Sequence, residues 1–130
     1  MNKIVKSPDA WARELSPDVF RITRQGGTEP PFTGQYWNVK DDGMYTCACC
    51  QTPLFDAAHK YDSASGWPSF FQAIDAEAIE TRRDTSLSRE RTEILCARCD
   101  AHLGHVFDDG PVPTGKRFCV NSASLVLTPR

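Results

Sequence analysis

The chain lacks a basic excess. Its 130 residues carry 15 Lys and Arg against 17 Asp and Glu, a formal net charge of −2. Domains that wrap phosphates carry the opposite balance, so no nucleic-acid partner is expected. The chain also lacks any apolar run near the ~18 residues of a membrane span, and no membrane partner is expected. Within residues 1–11 only Ile4 and Val5 form an apolar pair, which is not the h-region of a signal peptide. Internal repeats and low-complexity stretches are absent. Hydrophobic residues at 40% and charged residues at 25% are those of an ordinary globular chain rather than a disordered one. The length suits one domain of roughly 100–200 residues. The expectation is a soluble, cytoplasmic domain.

Cysteine, by contrast, is plentiful: Cys47, Cys49, Cys50, Cys96, Cys99 and Cys119. In a reducing compartment such residues serve more often as metal ligands or catalytic thiols than as disulfides. Cys47–Cys50 and Cys96–Cys99 have the C-x-x-C spacing that turns two sulfurs toward one ion, and two such knuckles complete a tetrahedral thiolate shell for zinc. The 45 residues between the pairs exceed what a compact zinc ribbon needs, so the knuckles are expected to clamp the ends of an inserted sheet. Two rival readings stand beside this one. The thiols could be reduced or disulfide-paired, or Cys96 and Cys99 could join His102 and His105. The second is too tight for a zinc finger, which places about 12 residues between its Cys and His pairs. A closed four-thiolate shell leaves no open position, so one zinc ion per chain is expected to be structural. Cys49 reads as an unused or alternate thiol, and Cys119 has no cysteine neighbour.

The rest of the chain punctuates itself. Residues 9–15 read as a short helix capped by Ser7 or Asp9, with Pro8 near its first turn. A second helix runs through Phe20, Ile22 and Arg24 to Gly26-Gly27. Residues 28–34 read as an ordered loop. Strands are expected from Tyr36, with a hairpin turn at Asp41-Asp42-Gly43, then at Leu54-Phe55 and over residues 74–79. Residues 77–93 alternate in charge sign and read as a solvated hairpin. Turns fall at Asp108-Asp109-Gly110 and residues 111–115, and residues 117–127 read as the strongest strand. The predicted architecture is mostly β, in one domain over residues 1–130. Residues 1–34 hold the N-terminal helices and loop, and residues 35–130 form a zinc-stapled β core.

Three segments carry chemistry. On a strand through residue 119, side chains alternate, so Phe118 and Val120 face one way and Arg117, Cys119 and Asn121 the other. A guanidinium beside a thiol favours thiolate and lowers its pKa from about 8.5, although a free cysteine is also commonly an inert core residue. His102 and His105 can aim at one point, and Asp109 could orient an imidazole and hold its tautomer. Core-satisfied histidines are the competing reading. Trp67, within Ser65-Gly66-Trp67-Pro68-Ser69, suits a small apolar group such as a methyl beside a polar sulfur, or is a core aromatic in a turn.

Read together and in order, these segments resemble the B-type peptide methionine sulfoxide reductases. The matching stretches are Thr28-Glu29-Pro30-Pro31-Phe32-Thr33-Gly34, Tyr45-Thr46-Cys47 through Cys50 with Pro53-Leu54-Phe55, and Lys60-Tyr61-Asp62-Ser63 with Gly66-Trp67-Pro68-Ser69-Phe70. They continue with His102-Leu103-Gly104-His105-Val106-Phe107-Asp108-Asp109-Gly110-Pro111 and Arg117-Phe118-Cys119-Val120-Asn121-Ser122-Ala123-Ser124-Leu125. The resemblance implies two packed antiparallel sheets with N-terminal helices and a zinc site remote from the active site. It implies reduction of the R epimer of methionine sulfoxide in proteins and peptides. Cys119 would attack the sulfoxide sulfur and become a sulfenic acid. His102 and His105, ordered by Asp109, would supply protons to the oxygen. Arg117 and Asn121 would hold and polarise the site, and Trp67 would seat the methyl. Thioredoxin or another thiol donor would restore the cysteine. In many members the position of Ser65 holds a second, resolving cysteine; here it is serine, so no efficient internal disulfide is expected. The rivals are a zinc-stapled binding module without chemistry, a nucleic-acid-binding ribbon and a hydrolytic zinc enzyme. The last is disfavoured because all four inferred ligands are thiolates.

Overall fold

Two Ser-Pro steps start the two helices. In the computed structural model, which describes residues 2–87 and 89–130, Ser7 caps α1 (Pro8–Glu14) by accepting from the Ala10 amide at 3.1 Å. Ser16 caps α2 (Pro17–Gln25) on Val19 in the same way, and Gly26 ends it at φ 69°. Proline at the first helical position loses only an amide that would be unpaired anyway, and glycine takes the left-handed turn without steric cost. Arg24 of α2 ties the helices to the second knuckle. It donates to the Cys99 carbonyl at 2.6 Å while its guanidinium lies 4.5 Å over the Trp11 ring.

The strands among the described residues are β1 (Gly43–Cys47), β2 (Pro53–Asp56), β3 (Lys60–Tyr61), β4 (Ser69–Phe70), β5 (Ile79–Asp84), β6 (Arg91–Cys96), β7 (His102–Phe107), β8 (Arg117–Val120) and β9 (Leu125–Pro129). They form two antiparallel sheets, one in the order β2-β1-β9 and one in the order β3-β4-β8-β7-β6-β5. The fold is thus mostly β with two short helices, as the sequence implied. Aromatic rings from both sheets meet in the core. Phe55 and Phe70 stack with centroids 4.4 Å apart, and Tyr45 stands edge-on to Phe70 at 5.2 Å. All three are fully buried, and such pairs add about 0.5–1.5 kcal/mol each beyond their area burial.

Three expected strands differ. Tyr36 lies in a turn, and no strand precedes Asp41 to make a hairpin. The Tyr36 hydroxyl and amide are spent instead on Leu127 and Ser122. Residues 74–78 are a bend and a short 3₁₀ turn, because Asp75 caps Ala76–Ala78 through the Glu77 amide at 2.9 Å. The stretch 117–127 is not one strand. It breaks at the 3₁₀ turn Ser122–Ser124 and changes sheet, with β8 in the larger sheet and β9 in the smaller. Polar side chains make that crossing possible. Ser124 Oγ donates to the His102 carbonyl at 2.9 Å, and Ser122 Oγ accepts from Tyr36, so short hydroxyls compete with the ladder.

The feature that builds the site is a bulge in β7. His102 pairs with Leu95 and Gly104 with Ile94, which leaves Leu103 as an extra residue. Three residues apart on a regular strand, His102 and His105 would point to opposite faces. The bulge turns them to one face, with ring centroids 5.7 Å apart. Gly104 is what lets β7 lie so close to β8, since a methyl there would sit 2.0 Å from the Cys119 carbonyl oxygen. Gly104→Ala is therefore expected to cost about 1–3 kcal/mol through overpacking and backbone shift, read as a lower urea midpoint at unchanged slope. A midpoint equal to wild type would refute this account of the β7–β8 approach.

Candidate active site and metal centre

Each C-x-x-C pair closes a strand-to-strand turn. The Gln51 amide donates to the Cys47 carbonyl at 2.8 Å after β1, and the Asp100 amide to the Cys96 carbonyl at 2.9 Å after β6. Both turns end on a left-handed residue, Gln51 and Asp100, each at φ 63°. The two knuckles face one another. The sulfurs of Cys47, Cys50, Cys96 and Cys99 all lie within 4.8 Å of one another, with Cys47–Cys99 at 3.7 Å and Cys50–Cys96 at 3.6 Å. A tetrahedral ion bound to sulfur at ~2.3 Å needs edges of about 3.8 Å, so the cluster could hold a metal ion with little adjustment. Cys49 packs against the four, its thiol beside Cys47 and Cys99. Its amide donates to Cys47 Sγ at 3.4 Å, which marks it as part of the turn.

The other site is a cavity of about 370 Å³ lined by Trp67, His105, Asp109, Arg117, Cys119 and Asn121. Six of the seven residues expected at a reaction centre thus share one opening. The seventh, His102, is buried behind His105 and does not line it. Strand register explains the convergence. Cys119 of β8 pairs with His105 of β7 on one side and with Ser69 of β4 on the other. Directly opposite residues share a face with Cβ atoms about 4.5–5.5 Å apart. Phe107 opposes Arg117 in the same ladder, and the guanidinium lies 4.4 Å over its ring.

The electrostatics depart from the sequence reading in two places. The Cys119 thiol is pushed up, not down. Burial penalises the thiolate and outweighs the opposing pull of Arg117 and of the Ser65 hydroxyl. Arg117 is itself engaged, bonded through Nε and Nη2 to Asp109 at 2.9 and 3.2 Å. This is the second correction: Asp109 was expected to order the imidazoles, but it serves Arg117. The histidines take partners from the charged hairpin. His102 Nδ1 lies 2.6 Å from Glu93 Oε2, and His105 Nε2 lies 2.8 Å from Asp84 Oδ2. Arg91 bridges to the same Asp84 oxygen at 3.2 Å. Burial pushes His105 down despite Asp84. Bonds from Ser86, then from His105, hold Asp84 well below the usual carboxylate range.

Asp84, Glu93 and Arg91, which the sequence does not mark out, are the partners the structure brings to the histidines and to one another. They were present as part of an alternating charged run, which a solvated hairpin also shows. Only the pairing of β6 with β7, which sets Glu93 opposite His105, separates the two cases. The remaining expected residues are braced. Trp67 Nε1 donates to the Glu29 carbonyl at 3.0 Å, and the Asn121 side-chain amide donates to the Leu103 carbonyl and accepts from the Glu29 amide.

Comparison with known proteins agrees with this geometry. The SelR domain matches residues 15–129. A protein of Acinetobacter baylyi named peptide methionine sulfoxide reductase MsrB is 61% identical over 127 residues, covering 98% of this chain and 91% of that protein. One of the same name from Azotobacter vinelandii is 57% identical over 130 residues, covering 100% of this chain and 98% of its own. One from Acinetobacter baumannii is 58% identical over 127 residues, covering 98% of this chain and 91% of its own. Paired knuckles, a thiol opposite an imidazole and near-complete coverage by these relatives lead to one assignment: the chain belongs to the SelR domain family, that of the oxidoreductases named peptide methionine sulfoxide reductase MsrB.

Proposed function

We propose that this chain, acting as a single unit over residues 1–130, reduces the R epimer of methionine sulfoxide in proteins and peptides to methionine. The observation that carries the proposal is Cys119, a half-buried thiol in an open cavity, directly opposite His105 and flanked by Arg117 and Trp67. Trp67 offers the apolar face on which the substrate methyl rests. The Cys119 sulfur attacks the sulfoxide sulfur and gives it two electrons, while the oxygen passes to Cys119 as a sulfenic acid and methionine leaves. The departing oxygen needs proton donors. His105 lines the cavity, with Asp84 fixing its ring, and His102 with Glu93 stands behind it. Arg117, held in place by Asp109, stabilises the thiolate as it forms. Two further thiols, from thioredoxin or another thiol donor, then return Cys119 to the thiol and release water and a disulfide. Ser65 supplies no internal thiol for this step. The free cysteines suit a reducing, cytoplasmic setting.

The four-cysteine cluster fits zinc. All donors are sulfur, and their spacing matches the tetrahedral edge. Zinc there would clamp the two knuckles and leave no ligand position for substrate. Cys96→Ser is expected to lose the metal, read as less than half an equivalent of zinc by atomic emission against about one in wild type, and to unfold cooperatively at lower temperature. Full zinc content in the variant would argue against the assignment.

A single-turnover assay tests the reaction. Pre-reduced protein without added reductant meets a blocked peptide carrying pure R or pure S methionine sulfoxide. About one methionine per chain is expected from R alone, with one thiol lost and none formed by Cys119→Ser. With Ser65→Cys, two thiols should be lost, and mass spectrometry should show a disulfide between the introduced thiol and Cys119. Methionine from neither epimer in folded protein would overturn the proposal.

Cys119 itself should titrate high. Its alkylation by iodoacetamide in the free protein is expected to keep rising above pH 9, because burial holds the thiol form. Arg117→Met removes the favourable charge and should slow alkylation at pH 8 by about tenfold for each unit by which the thiol pKa rises. A plateau below pH 8 in wild type would contradict this ordering of burial over charge.

A further inference from the structure

We propose that Glu29 is a positioning residue that sets Trp67 and Asn121 relative to Cys119. The proposal rests on the preceding reading for one point, that Trp67 seats the substrate methyl.

Glu29 lies in the loop between α2 and β1 and is only 6% exposed. Two segments distant in sequence converge on it, through three bonds. Its amide donates to Asn121 Oδ1 at 3.1 Å, and its carbonyl accepts from Trp67 Nε1 at 3.0 Å. Its carboxylate Oε1 accepts from the Ala123 amide at 3.0 Å, in the turn after β8. The first two bonds hold the groups that touch the cavity. The third anchors Glu29 to the end of the strand that carries Cys119. Without it, the backbone of residue 29 would be fixed by the very side chains it has to fix.

The carboxylate is also confined. Its Oε2 is buried with no hydrogen-bond partner among the described residues. A methyl at Gly34 would sit 2.1 Å from that oxygen and 2.3 Å from Ser122 Oγ. A buried, half-paired carboxylate costs stability relative to an apolar side chain of similar volume. Stability therefore does not explain a glutamate here; the bond to Ala123 does. The same loop grips the Trp67 turn a second time, through the Phe32 amide on the Gly66 carbonyl at 2.7 Å. Phe32 adopts φ 65° to make that contact, a left-handed conformation that a bulky residue takes only under constraint.

The test uses the full chain with Trp11→Phe and Trp37→Phe, so that Trp67 alone emits. Glu29→Ala, Glu29→Gln and Gly34→Ala are compared with this parent by acrylamide quenching of Trp67 without substrate, by thermal unfolding, and by kcat and KM on a blocked R-sulfoxide peptide. Glu29→Ala should raise the quenching constant. It should also lower kcat/KM by about tenfold to a hundredfold, chiefly through KM, the scale of a ~1 Å misplacement. Glu29→Gln keeps the acceptor for Ala123 and should restore quenching and KM to within about threefold of the parent. Gly34→Ala forces the carboxylate aside without removing it and should match Glu29→Ala in quenching, which covers the case in which Glu29→Ala does not fold. A lower unfolding temperature with unchanged quenching and KM would overturn the proposal and leave Glu29 as a stability residue. So would a glutamine as damaging as alanine. A parent chain inactive on both epimers would sink the functional reading instead, while the quenching series would still decide whether Glu29 holds Trp67.

Discussion

Everything at the active site is measured from the four-thiolate cluster. Cys47 and Cys50 close the turn after β1 in the smaller sheet, and Cys96 and Cys99 close the turn after β6 in the larger one. Bringing the four sulfurs within reach of one ion fixes how the two sheets meet. It also fixes where β7 begins, because His102 starts that strand three residues after Cys99. From that start the bulge at Leu103 turns His105 toward β8, and the register sets it opposite Cys119. The cluster thus positions β7 without lining the cavity.

Charge in the cavity is organised as fixed pairs. Arg117 pairs with Asp109, His102 with Glu93, and Arg91 and His105 share one oxygen of Asp84. Burial disfavours the charged forms of both the Cys119 thiol and the His105 imidazole. A thiol held in this way is sheltered from casual oxidation, since the thiolate is the reactive form.

Much of this was legible in the residues. The knuckles follow from the spacing of Cys47, Cys50, Cys96 and Cys99, and the first helix follows from Ser7 and Pro8. The shared face of Arg117 and Cys119 follows from strand alternation. What stayed hidden depends on partners far away in sequence. The break at Ser122–Ser124 is settled by hydrogen bonds to Tyr36 and His102. Asp109 looked like a histidine partner because it is close in sequence, whereas Asp84 and Glu93 reach the imidazoles only through the β5–β6–β7 pairing. The outcome at Cys119 was a contest of magnitudes. A neighbouring cation can be read from a sequence, but the depth of burial that outweighs it cannot.

The same geometry bears on how an oxidised Cys119 is restored. Cys119 sits opposite His105, three residues along β7 from His102 and further still from Cys99. None of the other cysteines lines the cavity that holds Cys119. Nearer at hand are hydroxyls: Ser65 bonds Ser63 at 2.8 Å and Ser63 bonds Ser69 at 2.7 Å, and Ser69 pairs with Cys119 across the ladder. These can bond a sulfenic acid but cannot reduce it. On the proposed reading, an oxygen left on Cys119 would be removed by a thiol from outside, and the open cavity would serve as the route for both substrate and thiol.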